Sequence, residues 1–287
     1  MVISVITPVY NGERFIESCI QVVIDQECSD VEHIIIDGGS TDRTVEIIQQ
    51  YATMYPHIRW QSEKDRGQSD AMNKGITMAK GNILAILNVD DYYEPNVLNR
   101  VSEIFKTLPE PSLLVGNCNL WNDAGEIFEI NQPANMKFND LLLGWHLNPF
   151  PANPSAYFYH TSLHQIIGLY DVDDHEAMDL HFLLKAVQAA TVKYVDEVWG
   201  NFRVIKGSKT YNSNQTGETA LRIERILAAY HHQLPWFQRW QVSTKREFYN
   251  LKNWLAIRVK YFAQNPQKLP RSLFGKVVKK LGFSPQA

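Results

Sequence analysis

Strand-like and helix-like patterns alternate without interruption through the first hundred residues, and that rhythm narrows the fold more than any other feature of the chain. Residues 2–9 are apolar and rich in β-branched side chains, and Pro8 closes the run. Asn11 stands where a helix cap belongs, ahead of Phe15, Ile16, Cys19, Ile20 and Val23 at helical spacing. Residues 32–37 carry Ile34, Ile35 and Ile36, a short strand without a polar face. Gly38-Gly39-Ser40-Thr41-Asp42 reads as a turn into a second helix with Val45, Ile48 and Tyr51 on one side. A third strand at 58–62, a helix from Ser69 to a stop at Gly81, and a fourth strand at 83–87 follow. Pro95 then precedes a helix with Val97, Leu98, Val101, Ile104 and Phe105 inward. Strands joined by helices of this length require right-handed crossovers, hence an α/β fold with a mainly parallel central sheet and flanking helices.

The pattern loosens after residue 110. Residues 112–118 are strand-like, and 120–122 and 126–130 flank Asp123-Ala124-Gly125, a hairpin signal. Residues 133–154, rich in Pro and Asn and carrying Trp145 and His146, read as a long irregular loop. A strand at 154–160, a helix at 176–189 and two strands at 192–195 and 198–205 complete this half, and helices dominate from about residue 217. The expected division is a catalytic domain over 1–215, with halves 1–110 and 111–215, and a basic helical extension over 216–287.

The informative polar residues fall at strand ends. Thr7, Pro8 and Tyr10 close the first strand, Asp37 the second, Asp65 follows the third, and Asp90 and Asp91 follow the fourth. In an open parallel sheet those ends share one edge, and ligands bind in the crevice outside it. Acids gathered there raise one another's pKa, and a bound cation resolves the conflict. Asp90-Asp91 is a hard oxygen donor set suited to Mg²⁺ or Mn²⁺ rather than zinc. Neither Gly-x-x-x-x-Gly-Lys-Ser/Thr nor Gly-x-Gly-x-x-Gly occurs, so a bound diphosphate depends on the metal for neutralisation. Asp37 also has a structural reading, as a brace for the turn at Gly38-Gly39, and Asp42 one as a helix-start cap.

Four ordered segments resemble the family 2 glycosyltransferases: Val5-Ile6-Thr7-Pro8-Val9-Tyr10-Asn11, Ile36-Asp37-Gly38-Gly39-Ser40-Thr41-Asp42, residues 63–75 beginning Glu63-Lys64-Asp65-Arg66-Gly67, and Leu87-Asn88-Val89-Asp90-Asp91. The likeness continues more weakly to about residue 210 through Ile167-Gly168-Leu169-Tyr170-Asp171, Glu176-Ala177-Met178-Asp179 and Asn201-Phe202-Arg203. It implies inverting enzymes of the GT-A fold, with a Rossmann-like nucleotide-binding half. It further implies that Thr7, Pro8, Tyr10, Asp37 and Asp65 surround a nucleoside diphosphate sugar, by family habit a UDP-sugar. Asp90 and Asp91 would end the metal motif, with Asn88 where many members carry a first Asp. Asp179 would be the base that takes the proton of an acceptor hydroxyl, in a saccharide or lipid-linked saccharide. Arg203 would meet phosphate or acceptor. Two other readings stand beside this one. A sugar nucleotidyltransferase calls for a Gly-rich basic loop after the first strand, where this chain has only Tyr10-Asn11-Gly12-Glu13-Arg14. A nucleotide-sugar-binding protein without transfer activity would keep the pocket and lack a working base.

Charge separates the two ends. Residues 241–287 hold ten Lys or Arg and one acid, so the rest carries the excess of acids behind a net charge of -3. An acidic body argues against a nucleic-acid partner. The basic tail interleaves aromatics with Lys and Arg, a composition suited to an anionic membrane surface. No run approaches the roughly 20 apolar residues of a spanning helix, and the N-terminus lacks a basic leader region. The expected place of work is the cytoplasm, with peripheral membrane contact. Three scattered cysteines fit neither a disulfide framework nor a zinc site.

Overall fold

Consecutive isoleucines with no exposed face fit a strand covered on both sides, and Ile34, Ile35 and Ile36 are each 0% exposed. In this computed structural model, which describes residues 1–173, 177–206, 211 and 216–265, β1 (Ile3–Val9), β2 (Val31–Asp37), β3 (Ile58–Ser62) and β4 (Ile83–Ile86) lie parallel in the order β3-β2-β1-β4. The connecting helices are α1 (Ile16–Ile24), α2 (Thr44–Met54) and α3 (Gln68–Met78). Ile16 and Ile20 of α1 and Ile48 of α2 pack with Val9, Ile35 and Ile58 of the strands. Gly75 lets α3 close onto β1, because a Cβ there would stand 2.4 Å from the Ile6 side chain.

The parallel pattern stops at β4. Beside it β8 (Tyr157–His160) runs antiparallel, followed by β6 (Ser112–Trp121), β9 (Thr191–Arg203) and the two-residue β5 (Tyr92–Tyr93). The strand β7 (Ile127–Asn131) forms the expected hairpin with β6. The sheet is therefore parallel in its first half and mixed in its second. Helices α4 (Val97–Phe105), α5 (Phe138–Leu141), α6 (Leu163–Ile167), α7 (Met178–Ala189) and α8 (Glu218–Gln233) complete a compact unit, Met1–Leu234. A second unit, Pro235–Ala287, contains α9 (Trp236–Gln264).

Two local expectations change. Asn11 does not cap α1, which begins at Ile16; Asn11 takes a left-handed φ of 49° and binds the neighbouring loop instead. The two strands expected between 192 and 205 are the single strand β9. Between the pairs Val115–Tyr194 and Asn117–Val198, β9 advances four residues while β6 advances two. That bulge turns out the polar pair Asp196-Glu197, which reads as a break in the sequence. Glu176, expected to begin a helix, lies outside the described residues, and α7 starts at Met178.

Candidate active site

The loops after β1 and β2 are sewn together before any ligand arrives. The Asn11 amide donates to Ser40 Oγ at 2.7 Å, and Asn11 Oδ1 accepts from the Thr41 amide at 2.9 Å. Asp42 accepts from the Thr44 amide at 3.0 Å and from the Glu13 amide at 3.0 Å, so it caps α2 and holds the first loop at once. Asp37 is fully buried, and its carboxylate accepts from the Gly39 and Ser40 amides, the Ser40 hydroxyl and Ser62 Oγ. Its hydrogen bonds thus brace the turn. Thr7 and Pro8 are buried as well. The Thr7 hydroxyl lies 2.9 Å from His33 Nε2, inside the sheet layer, so its side chain faces the core. Burial drives the His33 pKa down to about 3, which keeps that imidazole neutral. Tyr10, 64% exposed, points outward at the strand end.

Asp65 sits directly against the β2 turn. A Cβ on Gly38 would stand 2.6 Å from Asp65 Oδ2, so the missing side chain makes the seat for that carboxylate. Asp65 Oδ1 also accepts from the Gly67 amide at 2.9 Å, just before α3. Asp37 and Asp65, from separate crossovers, therefore meet at one point of the sheet edge.

Asp90 and Asp91 occupy the turn between β4 and β5. Asp91 is 3% exposed, and its Oδ2 accepts from Asn88 Nδ2 and from Asn153 Nδ2, each at 2.8 Å. Its Oδ1 is buried without a hydrogen-bond partner. Burial, reinforced by the neighbouring Asp90 charge and opposed by those two amides, pushes the Asp91 pKa up to about 8. Asp90 is also raised, by burial, against the pull of its own backbone and of Arg203. Asn88 in place of an acid now has a physical reason. Its amide nitrogen donates to Asp91 while its oxygen accepts from Gln68 Nε2 at 2.9 Å, whereas a carboxylate there would repel Asp91. An orphaned buried oxygen beside a second carboxylate fits a hard cation that draws its remaining ligands from a substrate. Among the described residues no three His, Cys, Asp or Glu gather as a complete metal cage.

The start of α3 joins the remaining parts. Gln68 reaches Asn88, and the adjacent Ser69 hydroxyl lies 2.9 Å from the Met178 sulfur. Asp179 follows in the first turn of α7, and the buried Tyr157 hydroxyl donates to its Oδ1 at 3.4 Å. Arg203 arrives from the far side. β5 pairs Tyr92 with Asn201, a register that continues to set Asp90 opposite Arg203, and the Arg203 guanidinium stacks 4.8 Å from the Tyr92 ring centre. Sequence reasoning assigned no site role to Asn153, Tyr157, Gln68 or Tyr92. Gln68 lies within the family-like segment 63–75, and Asn153 left a trace as an Asn before Pro154 that caps a 3₁₀ turn through Ser155 N.

The site thus joins acidic residues at the ends of successive parallel strands, a carboxylate pair after β4 and another carboxylate at the start of α7. The sequence profile of Glycosyl transferase family 2 matches residues 4–149, just over half of the chain. The chain belongs to glycosyl transferase family 2. The expected glycosyltransferase class stands with that membership. An uncharacterized glycosyltransferase, YibD, of Escherichia coli K12 is 34% identical over 146 residues, covering 50% of this chain and 41% of the relative. A chondroitin synthase of Escherichia coli is 26% identical over 212 residues, covering 72% of this chain and 29% of the relative. The chain thus spans less than half the length of these curated relatives. Among solved structures, Staphylococcus aureus TarS 1–349 in complex with UDP-GlcNAc superposes with a TM-score of 0.67 at 17% identity, over 88% of this chain and 73% of that one. The mannosyltransferase PcManGT from Pyrobaculum calidifontis, in complex with GDP-Man and Mn²⁺, gives 0.54 at 17% identity, over 95% and 83%. At such identities the likeness establishes the family 2 fold, and the GT-A architecture expected from the sequence agrees with it.

Proposed function

We propose that this protein transfers a sugar, with inversion, from a nucleoside diphosphate sugar of the UDP class to a saccharide or lipid-linked saccharide, as a step of polysaccharide synthesis at the cytoplasmic side of a membrane. The observation that carries this reading is that the first two residues of α3 reach both acidic segments, Gln68 through Asn88, which donates to Asp91, and Ser69 through Met178, the neighbour of Asp179. The nucleotide-sugar titles of TarS and PcManGT support donors of the same class.

In this reading Asp65 faces the nucleoside, Asp37 serves it from beneath by pre-setting the neighbouring turn with its hydrogen bonds, and Tyr10 offers its exposed ring at the same edge. Asp90 and Asp91 would hold Mg²⁺ or Mn²⁺, which would supply positive charge to offset that of a departing diphosphate. Arg203, already beside Asp90, adds a cation on the same side. Asp179 accepts the acceptor hydroxyl proton as that oxygen attacks the anomeric carbon from the side opposite the diphosphate, a single displacement that inverts the centre. The Tyr157 hydroxyl fixes one Asp179 oxygen and so orients the carboxylate.

A thermal-shift screen of nucleoside diphosphate sugars with and without Mn²⁺ tests this. At a hundredfold excess over Kd, a true donor adds about 2.7 kcal/mol of stability. The reading fails if no such compound raises Tm in the presence of Mn²⁺. Gly38→Ala gives a sharper check. The added methyl displaces Asp65, so Kd for the donor is expected to rise about tenfold, on the order of 1.4 kcal/mol, with little change in Tm. An unchanged Kd would remove Asp65 from the donor site.

A further inference from the structure

Helix α9 exposes ten large apolar side chains, each at least 43% accessible, on 29 residues. At 100° per residue, Trp236, Trp240, Phe248, Leu251, Trp254 and Leu255 fall within an arc of about 120°. Val242, near the opposite side, is 2% exposed. The arc is broken by Thr244 and Glu247, and an exposed, mainly apolar face of this extent marks a surface that is covered in use. The charges select what covers it. Arg239, Lys245, Arg246, Lys252, Arg258 and Lys260 face a single acid, Glu247, leaving the helix at +5. Arg258, which falls in the stripe, lays its guanidinium 4.3 Å over the Trp254 ring, so its charge rides on an aromatic face instead of breaking the surface. Pairing two such helices would set like charges together. Among the described residues no helix is long and apolar enough to cross a membrane, and α9 is about 43 Å of interrupted apolar surface.

We infer that α9 is an in-plane membrane helix, which lays its Trp-rich stripe among the acyl chains of an anionic bilayer and its Lys and Arg among the lipid phosphates. Three Trp in the stripe suit that boundary, where an indole ring has one apolar and one hydrogen-bonding side. Surface attachment of this kind is independent of the donor reading, because lipid binding and the thermal response to a nucleotide sugar are read separately.

The test uses the full chain with vesicles of phosphatidylcholine alone or with about a third phosphatidylglycerol. Sedimentation is expected to favour the anionic vesicles at least tenfold at low salt, and the preference should shrink in high salt. The triple change Trp240→Ser, Leu251→Ser and Leu255→Ser should reduce binding at least tenfold, whereas Asn250→Ser with Asn253→Ser should leave it unchanged. Glu247→Gln should tighten binding about fivefold, the increment expected for one charge near such a surface. Should the triple variant fold poorly, brominated lipids report on the unaltered protein: its Trp emission is quenched on anionic vesicles, and much less so when Trp236, Trp240 and Trp254 are all replaced by Phe. No sedimentation of the unaltered chain, equal binding by a folded triple variant, or a dimer that the triple change converts to monomer would each overturn the inference, the last by assigning the stripe to a second copy.

Discussion

Asp179→Asn is expected to lower kcat by about a thousandfold while leaving the affinity for a UDP-sugar within about twofold. General-base contributions lie between about 10² and 10⁴, and here the substituted amide cannot take a proton. The replacement is nearly isosteric, and its carbonyl oxygen can still accept from the Tyr157 hydroxyl, so the first turn of α7 should keep its place. The prediction also separates enzyme from binding protein. Loss of transfer with intact donor binding supports the base assignment. Equal transfer by both proteins would move the base elsewhere, and no transfer by either, with donor bound, would favour the binding-only alternative. Single-turnover measurements with saturating donor distinguish these outcomes, because they do not depend on product release.

In the absence of divalent cation, the stability of the wild type relative to Asp91→Asn is expected to fall by about 1.6 kcal/mol as pH rises from about 6.5 to 8. The Asp91 pKa stands at about 8 in the folded protein against an ordinary 3.8. The folded state therefore holds this proton more tightly than the unfolded chain. The resulting stability is complete below the unfolded value and is lost as pH rises through the folded one, at about 1.36 kcal/mol per unit. His33 acts with the opposite sign. Its pKa is depressed from 6.5 to about 3, so its contribution is complete above pH 6.5 and disappears below. His57, His160 and His164 are lowered too, each mainly by burial, and have the same sense. The unfolded histidines titrate through 6.5, so the two effects oppose up to about pH 7.5, and Asp91 acts alone among these groups only above that. Mn²⁺ should therefore raise Tm more at pH 8 than at pH 6, since a cation favours the ionised carboxylate. Asn at position 91 keeps an oxygen for the Asn88 and Asn153 amides, so its fold should survive. A wild-type profile matched by the variant between pH 6.5 and 8 would contradict the account.

The parallel half of the fold was readable because its strands are nearly pure runs of buried β-branched residues separated by helices of ordinary length. The acids at their ends were readable for the same reason, since topology alone puts Asp37, Asp65 and Asp90 on one edge. The second half was harder. Nothing local states that β8 enters beside β4 antiparallel, and the Asp91–Asn153 bond joins residues 62 apart. The polar step Asp196-Glu197 imitates a turn, but Asp196 accepts from Asn117 and Tyr194 and Glu197 binds Arg100, which hold the bulge in the sheet. Asn11 misleads by chemistry: a side chain that caps helices well is also one that tolerates a left-handed backbone and reaches across to another loop.

The smallest strand has the widest reach. One residue after Asp91 the chain is already clipped to β9, and Glu94 just beyond β5 accepts from Asn201 at 2.9 Å. The turn that carries the two acids is thus a bridge with both abutments fixed, and its span is set in whole residues. Lengthening it by one would rotate Tyr92 and Tyr93 to the wrong faces and carry Asp90 away from Arg203. Chemistry at this turn can be tuned by changing side chains, but its length leaves no slack.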